Sequence, residues 1–302
     1  MLDYLSSLPG ALALGLIWSS MALGVYITYK VLNVADLTVD GSFVTGGIVA
    51  AVLITNGMNF FLALLIATIA GALCGLITGL LHTFLGIPAI LAGILTQMAL
   101  WSINLLISNG RSNISIPSFS YHVLFSQASV YDALWKIVLI VAFFMVALYL
   151  FFGTELGASI RATGNNQDMS RAQGINTKLN IVIGLMISNG LVALSGALLA
   201  QYQGFADINM GKGAIVIGLC AVVVGTAITS KISTNFLVRL SGAAIGGLIY
   251  YIIFQTVVFI GLDTNLLKAL AAVIVIIFLG VPYIKQKYQE RIKKHFTNKH
   301  LV

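Results

Sequence analysis

The sequence predicts an all-α polytopic membrane protein, with about nine (eight to ten) transmembrane helices in two inverted repeats. Of its 302 residues, 59% are hydrophobic and only 8% are charged, against roughly 25% charged in a soluble domain. Apolar runs recur along the whole chain, and about 20 such residues in a helix cross the hydrocarbon core of a bilayer. Two stretches 171 residues apart also resemble one another. A β-barrel is excluded because its strands alternate polar and apolar residues and leave no long apolar run.

The apolar segments fall at about 11–30, 40–56, 60–85, 88–108, 133–152, 179–201, 212–230, 236–260 and 264–283. The opening "MLDYLSSLPGALALG" lacks a basic n-region and runs on into a full span, so it reads as a helix and not as a secretory signal. In the third segment Gly71, Gly75 and Gly79 recur every four residues and form a smooth ridge for close helix packing. Pro88, after Gly86, suits a helix start, where its missing N–H costs little. Cys74 and Cys220 lie inside apolar runs and read as small packing residues. His82 has no companion acid or cysteine, so no metal site and no catalytic group are expected.

The tail 284–302 is strongly basic and is expected in the cytoplasm by the positive-inside rule. Its role is orientation, with binding to anionic membrane lipid as the alternative. Nine crossings then place the N-terminus outside and the loops near 31–39, 86–87, 153–178 and 231–235 inside. Twelve of the 16 Lys and Arg residues fall on the inner side in this arrangement. The net charge of +7 therefore reads as topology, and no nucleic-acid partner is implied.

The repeat aligns "VADLTVDGSFVTGG" (34–47) with "FADINMGKGAIVIG" (205–218), matching Ala35 to Ala206, Asp36 to Asp207 and Gly47 to Gly218. The segments 11–30 and 182–201 correspond and run in opposite senses, so halves 11–108 and 179–283 form an inverted repeat within one domain, 1–302. Such repeats are a transporter device, with sites near the midplane. Asp36 is expected near the inner face and Asp207 near the outer one. Asp40 or Thr38 is expected to cap the helix that follows, and all four residues mark gates or helix caps. Path-lining candidates are Gln97, Trp101 and Asn104, which share one helical face at i, i+4 and i+7. Asn189 and Gln201 are the candidates in the second half. Interhelical hydrogen bonding is the alternative for each of them.

The connector 153–178 contains one short expected helix at about 166–173. Asn165 or Asn166 caps it, Asp168 lies in its first turn, Arg171 near its end, and Gly174 takes the left-handed position after it. The string "GTELGASIRATGNNQDMSRAQGINTKLN" resembles the coupling loop of the ABC-importer permease family that serves branched-chain amino acids and ribose. The shared positions are Thr154, Gly157, Arg161, Ala162, Gly164, Asn166, Ala172, Gly174, Ile175 and Asn176. "ADLTVDGSFVTGGIVAA" resembles a second stretch of the family, with Asp40 as an extra residue before Gly41.

That resemblance implies a non-enzymatic transport subunit in a bacterial cell membrane, driven by two cytoplasmic ATP-binding subunits. It also implies an extracytoplasmic substrate-binding protein and a second permease copy, most simply an identical one. The coupling residues would be Arg161, Gly164, Asn166, Asp168, Arg171 and Gly174. ATP and Mg would belong to the partners, and this chain has no Walker-type phosphate loop. The solute would be a small polar metabolite, an amino acid ahead of a sugar or nucleoside. The competing reading is an ion-coupled secondary transporter, which would need Asp36, Asp40 or Asp207 to titrate with transport.

Overall fold

A computed structural model describes residues 2–117, 119–229 and 235–261, with a few isolated positions between 269 and 280. The α-helices among the described residues are α1 (Leu2–Tyr26), α2 (Val39–Thr55), α3 (Phe60–Thr83), α4 (Ala89–Ile107), α5 (Val130–Gly153), α6 (Glu155–Asn165), α7 (Gln167–Ala172), α8 (Thr177–Gln203), α9 (Ala214–Thr229) and α10 (Phe236–Phe259). A π-helical turn, Ile27–Val31, extends α1.

Among the described residues, six stretches are long and apolar enough to cross a membrane: Ser7–Val31, Phe60–Thr83, Ala89–Ile107, Gln127–Gly153, Thr177–Gln203 and Phe236–Phe259. Two of the nine expected spans are instead short apolar helices, α2 with 17 residues and α9 with 16. At 1.5 Å per residue each reaches about 25 Å, less than a hydrocarbon core of about 30 Å. The last expected span, 264–283, and the basic tail 284–302 lie largely or wholly outside the described residues.

The core is α8, buried over nearly its whole length. Helix α1 runs antiparallel to it, with Gly10 near Tyr202, Gly24 against Ser188 and Leu32 against Gly184. The glycine ridge of α3 packs on it in the same sense: Gly71 faces Asn189, Gly75 faces Leu185 and Gly79 faces Val182. Helix α2 crosses α8 so closely that a Cβ at Gly46 would overlap the Ala193 carbonyl, and one at Gly196 would overlap that of Phe43. Small residues allow this backbone approach, which is how apolar helices gain packing energy where lipid offers no hydrophobic contrast. Outward, α3, α4 and α5 present exposed Leu65, Ile69, Leu95, Phe143 and Leu150.

The described fold also departs from all-α. Strands β1 (Asn113–Ser115) and β2 (Phe205–Asp207) form a two-stranded antiparallel ribbon, pairing Asn113 with Asp207 and Ser115 with Phe205. Three-residue strands are too short to carry a readable alternation, so the sequence does not announce them.

The connector 153–178 holds two helices where one was expected. Its second, α7, matches the expected element closely. Asn166 Oδ1 accepts from Met169 N at 3.0 Å, and Gly174 has φ +80°, the left-handed region glycine occupies without strain. The first, α6, is capped by Thr154, whose hydroxyl accepts from Gly157 N. It is seated on the bundle by Gly157 against Phe151 and Phe152, and by Gly164 against Val31 and Leu32.

Candidate functional site

The residues after α1 turn back into the bundle instead of leaving it. Asp36 is 4% exposed, so the stretch 31–39 is not the exposed inner loop that hydropathy suggests. The Asp36 carboxylate accepts from Thr38 N at 2.9 Å and from Asn189 Nδ2 at 2.7 Å. Asn189 sits near the midpoint of α8, so Asp36 lies level with the middle of the central helix and not at its end. Ser42 Oγ donates to Asn189 Oδ1 at 2.6 Å. On the other side, the Thr38 and Thr78 hydroxyls lie 2.7 Å apart, and Thr78 donates to Thr96 at 3.0 Å. This chain of polar groups ties the start of α2 to α3, α4 and α8. A buried network of this kind is stabilising only when its members are satisfied, which holds here.

Asp40 behaves differently from its expected role. Neither it nor Thr38 caps α2 with its side chain. The Asp40 carboxylate instead accepts from Gly213 N at 3.0 Å and Ile215 N at 2.8 Å. It therefore caps α9, 173 residues away, and meets the positive end of that helix dipole. The geometry needs Gly211, which lies so close to the Asp40 carbonyl that a side chain would overlap it, and Gly213, with φ +84°. The N-termini of two short helices thus meet at one carboxylate.

Beside Asp40 is a cavity of about 330 Å³ between α2, α4 and the segment 208–212. Its polar and aromatic lining comprises Asp40, Gln97, Trp101, Asn104 and Lys212. The shared face of Gln97, Trp101 and Asn104 is therefore brought together with Asp40. Asn104 is 1% exposed, yet among the described residues neither its amide nitrogen nor its amide oxygen has a hydrogen-bond partner. Such an amide costs about 1–3 kcal/mol to bury, so it needs a ligand or a role. Met98 and Trp101 are 67% and 49% exposed, so the cavity opens sideways from the bundle.

Other candidates lie elsewhere. Asn189 is used by Asp36 and Ser42, and does not line the cavity. Gln201 is fully buried and its Oε1 accepts from Leu124 N at 3.0 Å, far along α8. Asp207 accepts from Asn209 N at 2.7 Å in a local turn beside the ribbon. Asn166, Asp168, Arg171 and Gly174 all belong to α7 and its ends. Arg171 reaches Thr177 Oγ1 at 3.0 Å and Asp168 at 3.5 Å. Arg161 and Gly164 are on α6 and face the π-helical turn and α10. Sequence reading missed Thr78, Thr96 and Lys212. Threonine in an apolar helix ordinarily bonds its own preceding turn, as Thr78 and Thr96 also do with Cys74 and Ala92, and so carries no distinguishing signal.

A bundle of apolar helices with two short helices meeting at a polar, laterally open cavity defines a polytopic membrane transport subunit. The comparisons place it further. The family model described as "Branched-chain amino acid transport system / permease component" matches residues 7–279, and the chain belongs to that family. It is thus a permease component of an ABC importer, without enzymatic activity of its own. The chain is 39% identical over 279 residues to the tyrosine transport system permease protein of Clostridioides difficile (strain R20291), covering 91% of each. It is 27% identical to a fructose import permease of Bifidobacterium longum (strain NCC 2705), over 80% of this chain and 68% of that protein. In fold it is similar to a chain of PsaBC from Streptococcus pneumoniae, solved in complex with Fab. The TM-score is 0.54 at 14% identity, covering 92% of this chain and 95% of that one.

Proposed function

We propose that the cavity beside Asp40 is part of the solute path and that the solute is an amino acid. The observation that carries this reading is Asn104, a buried amide with unmet hydrogen-bonding capacity on both atoms, in a cavity that also holds Lys212 and Trp101. A cation, an amide and an aromatic face suit a small molecule with a carboxylate and a side chain. The likeness to a tyrosine permease supports an amino acid over a sugar. Gln97 lines the same wall, whereas Asn189 and Gln201 act as supports for the surrounding helices.

Two copies of this chain face one another across the path. Asp40, Gln97 and Lys212 open sideways from an apolar bundle, and such groups are costly against lipid. The cavity wall is then completed by a second copy. Two cytoplasmic ATPase subunits drive the pair through α7 and its flanks, with Asn166, Asp168, Arg171 and Gly174 as the contact, and an extracytoplasmic binding protein delivers the solute. The chain lies in the bacterial plasma membrane as one permease domain, with its tail in the cytoplasm and lipid along α3, α4 and α5.

Nine membrane segments in two inverted halves remain the best topology. It is supported by matched local geometry. Asp36 and Asp207 each accept from the N–H two residues on. Asn59 and Asn235 do the same ahead of α3 and α10, each 24 residues long. An ion-coupled mechanism is not favoured, because Asp36 and Asp40 are held by fixed structural partners.

Asn104→Leu tests the path. Removing a buried unsatisfied amide leaves the isolated chain as stable or more stable, by up to about 2 kcal/mol, while uptake in cells falls at least tenfold. Unchanged uptake in a stable Asn104→Leu protein would remove Asn104 from the path.

A further inference from the structure

A cavity of about 700 Å³ is at the other end of the bundle, where the π-helical turn, α6 and α10 converge. Lys30, Arg161 and Arg239 line it from these three separate elements, together with Asn33 and Asn165. Among the described residues no carboxylate lines it, and none of the three cations has an ion-pair partner. An inner membrane face rich in Lys and Arg explains the number of charges but not their convergence on one concavity. Three like charges around a shared space repel, and a bound anion offsets that cost.

The walls are built rather than loose. Gly164 fits under the Val31 carbonyl with no room for a side chain, fixing α6 to the π-helical turn. The Arg161 guanidinium lies over the Phe236 ring, 5.6 Å from its centre, a stacking contact that orients it. Tyr29 is exposed beside Lys30, whose ammonium is 5.0 Å from its ring centre. Aromatic residues interleaved with cations at the end of an apolar bundle are the pattern of a headgroup-level boundary.

We infer that this cavity is a binding site for the phosphate of an anionic phospholipid, held by Lys30, Arg161 and Arg239. The site rests on the membrane placement of the chain and not on the identity of the solute. Basic pockets between helices on the inner side take such headgroups.

The test is lipid retention by the purified full-length chain in native mass spectrometry, titrated with phosphatidylglycerol, phosphatidylcholine or inorganic phosphate. Lys30→Gln with Arg239→Gln leaves α7 untouched. Two cations at about 1 kcal/mol each correspond to about a 30-fold loss of phosphatidylglycerol affinity. Lys136→Gln with Lys178→Gln removes the same charge elsewhere, and is expected to change retention less than about threefold. An equal melting temperature for the two double variants in phosphatidylcholine establishes that both are folded. Equal loss in both variants would mean diffuse attraction and overturn the site. Inorganic phosphate competing at the same concentration as lipid would assign the cavity to a free anion. Loss of a co-purifying ATPase with lipid retention unchanged would assign it to an acidic protein surface. Either outcome refutes the lipid site while leaving the transport reading intact.

Discussion

Replacing Asp40 with alanine should uncouple the start of α9 from α2. The carboxylate accepts two backbone N–H groups, at 3.0 and 2.8 Å. Hydrogen bonds to a charged acceptor contribute about 1.5–3 kcal/mol each. Alanine returns about 0.5 kcal/mol of helix propensity within α2, and removes a favourable charge from its first turn worth about 0.3–1 kcal/mol. The net expected loss is about 4 kcal/mol. Asp40→Asn keeps one acceptor but turns an amide donor toward an N–H, at a cost of about 2 kcal/mol. Asp207→Ala removes one local turn bond and should cost about 1 kcal/mol. Tryptophan-fluorescence melts in detergent should rank the variants in that order. Hydrogen exchange supplies the site-specific reading, because the amides of Gly213 and Ile215 should lose protection in Asp40→Ala and keep it in Asp207→Ala. If Asp40→Ala melted with the parent and those amides stayed protected, the cap would not matter and the reasoning would be refuted.

Three further outcomes are expected. Asp36→Asn sets a donor against Asn189 Nδ2 and should destabilise by about 2–3 kcal/mol; Asn189→Asp alone sets two carboxylates together and loses the bond to Leu185 O, so combining it with Asp36→Asn, which restores a donor–acceptor pair, should raise its melt. Gly46→Ala forces a Cβ into the Ala193 carbonyl and should cost about 3 kcal/mol or more, while Gly153→Ala, with open space around it, should be neutral or stabilising by about 0.5 kcal/mol in the same melts. Asn166→Ala removes the cap of a six-residue helix, about 1 kcal/mol on an element too short to form alone; solute-stimulated ATP hydrolysis by the assembled importer should fall, with little change in the melt of the bundle.

Local patterns carried the parts of the site that depend on one element. The spacing of Gln97, Trp101 and Asn104 needs only the helical period to put three side chains on one wall. Asn166, Asp168 and Gly174 report a helix start and stop through bonds made within three residues. Gly71, Gly75 and Gly79 signal a packing ridge through the absence of side chains, although only the fold names α8 as what they meet. Asp36 and Asp40 were open to misreading for the opposite reason. A carboxylate beside an apolar run looks like a helix boundary, and its partners, Asn189 and the amides of Gly213 and Ile215, lie more than 150 residues away.

The sequence by itself determined that the chain is a helical membrane protein of recognisable family, because hydropathy, charge bias and capping act over a few turns of chain. Tertiary structure alone decided that α2 and α9 are short helices meeting at Asp40, that Asp36 is buried at the level of mid-α8, and that three cations share one cavity. Those facts depend on which distant backbones the glycines let approach. No local energy term contains that choice: it is settled only when the whole bundle packs.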